Sequence, residues 1–272
     1  MLKTRILTAL VLGAVLCVVV LALPPLATIV LLTVVIFGGA WEWSAFLGAP
    51  ARWQRALYLL LIAVLLPASW WMSGSAEGLS TLLLVVSIWW IFALLWLTRA
   101  PQRVTPLAAA VAGVLALVPA WLAIARLRTD YQDGEQWTMF ALILIVAADT
   151  GAFFAGRQFG RVKLAPRVSP GKTWEGALGG VALAALVATG GAAIFDLPIW
   201  PMLLVGVLVA AFSIVGDLTE SMFKRHSGVK DSGRLFPGHG GILDRIDSIT
   251  AGAPLLLWSV LQLGLVQRGA LP

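Results

Sequence analysis

Long apolar runs alternate with short polar segments along most of the 272-residue chain. About 20 apolar residues in a helix cross a bilayer core, and backbone groups in lipid have to pair within their own segment. Apolar runs of that length therefore predict transmembrane helices. Nine such runs occur, at residues 6–23, 26–47, 56–72, 79–97, 105–125, 137–156, 174–195, 198–216 and 250–268. We predict an all-α polytopic integral membrane protein whose residues 1–272 form a single membrane domain.

Polar residues interrupt this pattern mainly in the second half of the chain. Two long polar loops, residues 157–173 and 217–249, separate predicted helices and fall on the same side of the membrane. The chain is thus divided into N-terminal helices, residues 1–130, and a second half, residues 131–272, where a polar active site can be built. In the N-terminal helices, Glu42 lies near a predicted membrane boundary and has a weaker claim to a function.

The composition excludes several classes of protein. Hydrophobic residues make up 60% of the chain and charged residues 12%, whereas soluble domains have about 45–50% apolar and about 25% charged residues. A water-soluble fold is therefore not expected. A single cysteine, Cys17, excludes an intramolecular disulfide framework, and the two histidines, His226 and His239, are too few for a histidine-rich metal centre.

The basic residues predict the orientation of the helices. With the N-terminus in the cytoplasm, sixteen of the nineteen Lys and Arg residues fall on the cytoplasmic side, and only Arg126, Arg128 and Arg268 fall on the other. The positive-inside rule then predicts nine helices with a cytoplasmic N-terminus and a periplasmic C-terminus. The net charge of +6 is explained by this bias and by anionic lipid, so no nucleic-acid partner is expected.

Acidic residues in the second half of the chain occur in two pairs with the same spacing. Asp217 and Glu220 are three residues apart, as are Asp244 and Asp247, so a helix would place each pair on one face. Carboxylate pairs suit a hard cation such as Mg²⁺, but ion-paired surface helices explain the spacing equally well. Asp149 lies inside a predicted span, where an acid indicates a functional cavity.

Basic residues are mixed with Gly and Ser between the acid pairs, over residues 224–234. Small residues let backbone N–H groups approach a phosphate, and Lys or Arg neutralises its charge; contact with lipid headgroups is the simpler alternative. In the first loop, Ser169, Lys172 and Thr173 stand at the predicted start of a helix, a favourable place for an anion. A P-loop is excluded because Pro166 occupies the position of its first glycine.

Three segments of the second half carry distinctive patterns. Residues 221–247 contain Ser-Met-Phe-Lys-Arg, then Lys-Asp-Ser-Gly, then His-Gly-Gly-Ile-Leu-Asp-Arg-Ile-Asp, and residues 149–156 and 169–176 add two further motifs. Together they resemble the signature of bacterial phosphatidate cytidylyltransferases, also called CDP-diacylglycerol synthases. The resemblance implies that CTP and phosphatidate react to give CDP-diacylglycerol and pyrophosphate with Mg²⁺, a second cation being left open. It also implies a homodimer in the bacterial inner membrane.

The resemblance implies roles for individual residues as well. It implies metal ligation by Asp217, Asp244 and Asp247. It implies contacts with the triphosphate or phosphatidate for Lys172, Lys224, Arg225, Lys230 and Arg245. With the candidates found from the residues themselves, the predicted catalytic group is Asp217, Asp244, Lys230 and Asp231. The predicted substrate-binding group is Ser169, Lys172, Thr173, Lys224, Arg225, His239, Arg245 and Asp149.

Two other functions are compatible with a polytopic helical protein. Another CTP-dependent lipid kinase or transferase differs only in nucleotide or acceptor, which composition does not distinguish. A transporter would place charges near the bilayer midplane and often contains internal repeats. Here the charges crowd one predicted face, nine spans do not divide into equal halves, and no repeat is found, so a transporter is disfavoured.

Overall fold

Helices form nearly all of the structure, a computed structural model that describes residues 2–48, 50–233, 235 and 240–269. The described residues contain nine α-helices. These are α1 (Leu2–Leu21), α2 (Pro25–Trp43), α3 (Arg52–Met72), α4 (Ala76–Arg99), α5 (Pro106–Asp130), α6 (Gly134–Phe159), α7 (Trp174–Ile194), α8 (Ile199–His226) and α9 (Leu243–Gln262). A short 3₁₀ turn, Ser44–Phe46, follows α2.

Local sequence explains where several of these helices begin. Ser75, Thr105 and Thr173 precede α4, α5 and α7, and each side chain accepts a hydrogen bond from the backbone N–H three residues later. Such caps satisfy N–H groups that have no partner within the helix. Pro25 and Pro106 are the first residues of α2 and α5, where proline costs no helical hydrogen bond.

Seven of the described helices, α2 to α8, are long and apolar enough to cross a membrane. The prediction of an all-α polytopic membrane protein is therefore confirmed. The apolar stretch Val11–Leu21 lies within α1, and α9 begins with a charged turn. Both helices coincide with predicted runs, while the exact number of spans stays a prediction.

The first polar loop is more ordered than predicted. Within residues 157–173, strands β1 (Lys163–Ala165) and β2 (Ser169–Thr173) pair in an antiparallel hairpin. The hairpin is closed at its base because the Glu175 carboxylate accepts hydrogen bonds from two backbone N–H groups ahead of β1. Ser169 and Lys172 consequently lie on a strand that leads directly into α7, and Thr173 caps that helix, so the segment stands at the start of a helix as predicted.

The second polar loop is shorter than predicted. Residues 217–226 continue α8 and residues 243–249 belong to α9, so the bounds 217–249 are wrong at both ends. The sequence suggested a loop because ten charges are costly in lipid. In the structure these residues are helical, and the charged side chains of Asp217, Lys224, Asp244, Arg245 and Asp247 line a cavity.

Contacts between helix ends show which turns lie at the same end of the helix bundle. At one end of the bundle, Arg126 donates to Ser73, and Arg128 donates to the carbonyl of Leu23. Arg268 belongs to an isolated bridge with the residue that follows α5. These are the three arginines that the charge pattern placed on the outer side, and the structure brings them to the same end.

The opposite helix ends meet at the other end of the bundle. The Trp96 ring of α4 lies 5.7 Å from the Phe223 ring of α8, and Lys172 of β2 contacts Asp217 of α8. Both polar stretches are therefore at this end, called the site end below.

Close packing of α6 against α7 positions one of the predicted site residues, Asp149. A Cβ atom added to Gly151 would lie 2.6 Å from the carbonyl oxygen of Gly179, so the two backbones approach in a way that only small residues permit. Asp149 is two residues before this contact. The packing therefore fixes the position of Asp149 relative to the hairpin and the start of α7.

Candidate active site

A cavity of about 740 Å³ lies at the site end, between α6, the hairpin, α7, α8 and α9. This volume is in the range of about 300–1,000 Å³ that is usual for small-molecule sites. Five acids line the cavity: Asp149, Asp217, Asp231, Asp244 and Asp247. Four bases line it as well: Arg157, Lys172, Lys224 and Arg245. Most of the predicted site residues are therefore brought together.

Strand β2 positions a cation against α8. The Nζ atom of Lys172 lies 2.5 Å from Oδ2 of Asp217, and the two side chains are 24% and 26% exposed. Oδ1 of Asp217 accepts a weak hydrogen bond from Ser221 at 3.4 Å. Both charged groups line the cavity, so Lys172 can exchange this carboxylate for an anionic ligand.

A second cation is held below the surface. Nζ of Lys224 lies 2.7 Å from Oδ1 of Asp244 and 3.3 Å from Oε1 of Glu220. The side chains of Lys224 and Glu220 are 11% and 2% exposed, and a buried charge is tolerated when it is paired. Lys224 therefore ties α8 to α9 through Asp244, and because it also lines the cavity its contact with substrate stays a prediction.

Asp244 organises the loop before α9. Its Oδ2 atom accepts hydrogen bonds from the backbone N–H groups of Ser232 at 3.0 Å and Gly241 at 2.8 Å. Burial alone would raise the pKa of Asp244, which lies ahead of the last predicted span. The hydrogen bonds from Lys224, Gly241 and Ser232 outweigh this effect and hold the pKa below its ordinary value. Gly240 has a φ of +82°, and a side chain there would collide with the same carboxylate.

Glu42 of α2 contributes to the same loop, although its position near a membrane boundary indicated only a weak claim to a function. Its carboxylate accepts hydrogen bonds from the backbone N–H groups of Ile242 at 3.0 Å and Leu243 at 2.8 Å, and from the Ser232 hydroxyl at 2.9 Å. The first N–H groups of a helix lack partners within it and favour a negative charge. Ile242, at the cap position of α9, makes no side-chain hydrogen bond, so Glu42 supplies the missing acceptor.

Two glycines make room for the Glu42 carboxylate. A Cβ atom added to Gly233 or Gly241 would lie 2.7 Å or 2.5 Å from the carboxyl carbon of Glu42. Gly233 belongs to the predicted phosphate-binding segment, residues 224–234, and Gly241 to the signature motif; the contact with Glu42 gives a structural reason for the small size of both. The signal available in the sequence was that residues 1–125 contain just two acids, Glu42 and Glu77.

The remaining acids connect three helices around the cavity. Oδ1 of Asp149 on α6 accepts a hydrogen bond from the hydroxyl of Ser248 on α9 at 2.9 Å. The neighbouring Asp247 and Asp217 of α8 line the same cavity. Glu220 lies behind them and, within the described residues, makes no hydrogen bond beyond its ion pair with Lys224.

These acids are suited to Mg²⁺ in chemistry, although they form no closed cage. In the part of the chain that the structure describes, no group of three or more His, Cys, Asp or Glu side chains is close enough to hold a metal ion. Mg²⁺ is usually held by one or two carboxylates and completed by water and substrate phosphate. Asp217 and Asp247 fit this role. Both oxygens of Asp244, the third predicted ligand, already accept protein hydrogen bonds.

Four further predicted residues line the cavity: Ser169, Thr173, Asp231 and Arg245. The hydroxyl of Thr173 accepts the N–H of Gly176 at 3.1 Å, so its first role is to cap α7. Arg245 is exposed, one residue after Asp244. It therefore provides a cation at the rim that can reach an incoming anion.

The structure does not bring Arg225 and Lys230 to the cavity lining. Both are exposed, and the Nε of Arg225 donates to the carbonyl of Val168 at 3.3 Å. Arg225 thereby attaches the end of α8 to the hairpin. His239, predicted to contact substrate, lies outside the described residues.

Apolar side chains complete the cavity. Phe153 of α6 and Ile214 of α8 line it together with the charged groups, and Phe153 is 59% exposed on the surface of the helix bundle. The same cavity thus offers cations for phosphate groups and apolar contacts for a hydrophobic substrate. A reaction between a soluble polyanion and a lipid would need this combination.

The chain is similar to known proteins over almost its whole length. The model of the cytidylyltransferase family matches residues 3–263. A phosphatidate cytidylyltransferase of Haemophilus influenzae is 38% identical, over 93% of this chain and 96% of its own. One of Pseudomonas aeruginosa is 40% identical, over 95% of this chain and 98% of its own. One of Staphylococcus epidermidis is 48% identical, over 46% of this chain and 48% of its own. The similarity therefore includes the N-terminal helices, which the signature motifs do not cover.

Proposed function

The chain belongs to the cytidylyltransferase family, and from this membership we propose that it is an enzyme transferring the cytidylyl group of CTP to phosphatidate. The products are CDP-diacylglycerol and pyrophosphate. One observation carries the proposal: a single cavity joins the cations Lys172 and Arg245 to the acids Asp217 and Asp247 and to the apolar side chain of Phe153.

We further propose nine membrane spans with the site end in the cytoplasm, in the bacterial inner membrane. Support comes from the charge pattern, which leaves only Arg126, Arg128 and Arg268 on the outer side and places the other sixteen basic residues on the cytoplasmic side. The structure has those three arginines at the end opposite the cavity. CTP is a cytoplasmic solute, so this orientation gives it access to the cavity. A homodimeric assembly stays a prediction.

The reaction brings two anions together, and the chain's own residues offset their repulsion. Lys172, Arg157 and Arg245 line the cavity and would neutralise the phosphates of both substrates. The phosphate of phosphatidate is already an oxyanion at neutral pH, so the nucleophile needs no strong general base. Catalysis then depends on in-line positioning and on stabilising the charge of the departing pyrophosphate.

Mg²⁺ is the proposed metal, held by Asp217 and Asp247. When bound, it would supply charge neutralisation and polarise a phosphoryl oxygen. Asp244 holds Lys224 and the loop in place through its hydrogen bonds. Glu42 fixes the start of α9 at Leu243, which is four residues before Asp247 in the same helix.

Labelled nucleotide tests the reaction class directly. Purified full-length protein is incubated with phosphatidate, Mg²⁺ and CTP labelled either in cytidine or in the γ-phosphate. Cytidine label in the lipid extract, with γ label released as pyrophosphate, is the expected result. Transfer of γ label to lipid would identify a CTP-dependent lipid kinase instead, and absence of label from lipid in both reactions would refute the proposal.

Lys172→Ala is expected to raise the KM for CTP about tenfold or more, because a charge-assisted contact with phosphate is worth about 1.5–3 kcal/mol. The KM for phosphatidate is expected to change less. Lys163→Ala is the matched control, since Lys163 is an exposed lysine on β1 that does not line the cavity. Equal KM values for CTP in the Lys172 variant and the parent would remove Lys172 from the nucleotide site.

A further inference from the structure

A second cavity, of about 650 Å³, lies between α4 and α5 and, among the described residues, shares no lining residue with the first. Its wall on α4 is aromatic. Trp89, Phe92 and Trp96 follow one another on one face of the helix, with ring centroids 5.9 Å and 6.2 Å apart. Because Trp96 contacts Phe223 of α8, this groove lies at the site end, on the outer surface of the bundle.

Two arginines stand at one end of the groove. Arg99 is the last residue of α4 and Arg103 lies in the turn to α5, and both are exposed and line the cavity. The indole N–H of Trp96 donates to the carbonyl of Arg103 at 3.2 Å, which holds the turn against α4. Among the described residues, neither arginine is in an ion pair, and no acid lines the groove.

The opposite wall is apolar and open to the side. Leu107 and Val111 on α5 are 74% and 47% exposed, and Ala108 between them leaves space beside the aromatic wall. The groove therefore combines a cationic end at the membrane boundary with an apolar channel that runs toward the membrane interior. Such a shape and charge match a lipid with an anionic headgroup.

We propose that this groove binds an anionic glycerophospholipid of the surrounding leaflet. Its phosphate would lie between Arg99 and Arg103, since guanidinium groups recognise phosphate through paired hydrogen bonds. An acyl chain would follow Trp89 and Val111, and Trp96 would lie at headgroup depth, where tryptophan is favoured. Basic pockets between membrane helices are a known mode of binding anionic headgroups.

The groove is separate from the proposed reaction because none of its lining residues reaches the acidic cavity. The inference therefore does not depend on cytidylyl transfer. Substrate phosphatidate would need the acids and Lys172, whereas the described lining of the groove offers two cations and apolar contacts without an acid. The proposed occupant is a bulk anionic lipid. The experiment has to distinguish it from a free phosphate ion and from a second copy of the chain.

Lipid binding to the delipidated full-length protein in detergent tests the proposal by native mass spectrometry, with phosphatidylglycerol as the probe. The double variant Arg99→Gln, Arg103→Gln is expected to bind phosphatidylglycerol at least about tenfold more weakly, because two charge-assisted contacts are lost. The matched control is Arg52→Gln, Arg55→Gln. Both arginines lie at the start of α3, at the same end of the bundle, and line neither cavity; Arg52 is exposed and Arg55 is partly buried.

A second variant tests the apolar part of the groove with both arginines intact. Val111→Trp fills the channel at an exposed position and is expected to weaken phosphatidylglycerol binding by a similar factor. Parent protein is expected to bind phosphatidylcholine much more weakly than phosphatidylglycerol, and inorganic phosphate is expected not to displace the lipid. An unfolding temperature equal to that of the parent shows that each variant is folded.

Three results would overturn the proposal. The first is equal phosphatidylglycerol binding by the two double-arginine variants. The second is displacement of the lipid by inorganic phosphate at comparable concentrations, which would identify a simple anion site. The third is a change from dimer to monomer in the Arg99 and Arg103 variant with lipid binding intact, which would show that a second copy covers the groove.

Discussion

Asp217→Asn is expected to lower kcat by about 10²–10³-fold, the effect of removing one preorganised electrostatic group from an active site. The substitution keeps the size of the side chain but removes the charge that pairs with Lys172 at 2.5 Å. It also removes one of the two carboxylates proposed to hold Mg²⁺. Cytidine label transferred to lipid per minute, at saturating CTP and phosphatidate, measures the change.

Asp196→Asn is the matched control for this substitution. Asp196 lies exposed in the turn between α7 and α8, at the opposite end from the cavity, and its φ of +50° is one that asparagine also adopts. We expect parent-like turnover for this control and an equal amount of folded protein in the membrane for both. If Asp217→Asn keeps the parent rate, Asp217 neither holds the metal nor assists the transfer.

Glu42→Gln is expected to lower turnover by about 10–100-fold, the range seen when a residue that orients the ligands of a metal is changed. The carboxylate accepts three hydrogen bonds, two of them from the backbone N–H groups of Ile242 and Leu243. A glutamine would turn an N–H₂ donor toward one of these donors, at a cost of about 1–3 kcal/mol. Hydrogen exchange at Ile242 and Leu243 is expected to accelerate, a change that distinguishes a positioning residue from one that touches substrate.

Glu77→Gln provides the comparison for Glu42. Glu77 is the other acid of residues 1–125 and lies exposed in the first turn of α4, at the far end of the bundle. We expect its substitution to leave both turnover and exchange unchanged. Unchanged exchange at Ile242 and Leu243 in the Glu42 variant would show that Glu42 does not position the start of α9.

The helices could be predicted because a membrane helix is specified by the composition of its own segment. Residues 105–125 and 174–195 were predicted as spans, and the structure has helices at Pro106–Asp130 and Trp174–Ile194. Each of these inferences uses local information alone, since backbone groups in lipid pair within their own segment.

Contacts between distant segments could not be predicted in this way. Glu42 and Leu243 are separated by 200 residues, and nothing in either segment specifies the other. The adjacent bases Lys224 and Arg225 show the same difficulty at close range. Successive residues of a helix point about 100° apart, so Lys224 turns inward to Asp244 while Arg225 reaches the hairpin. A sequence that places two bases side by side does not reveal which one faces the substrate.

The contact from α2 to the start of α9 limits how this enzyme can be divided. All three groups that donate hydrogen bonds to Glu42 belong to the second half of the chain. A fragment beginning near residue 131 would therefore lack the carboxylate that anchors the loop before α9. Chimaeras that exchange the amino-terminal helices between relatives would have to preserve this carboxylate and its depth in the bilayer. During synthesis, moreover, the anchor is made long before its partners, and the working geometry can form only after the last helix has been inserted.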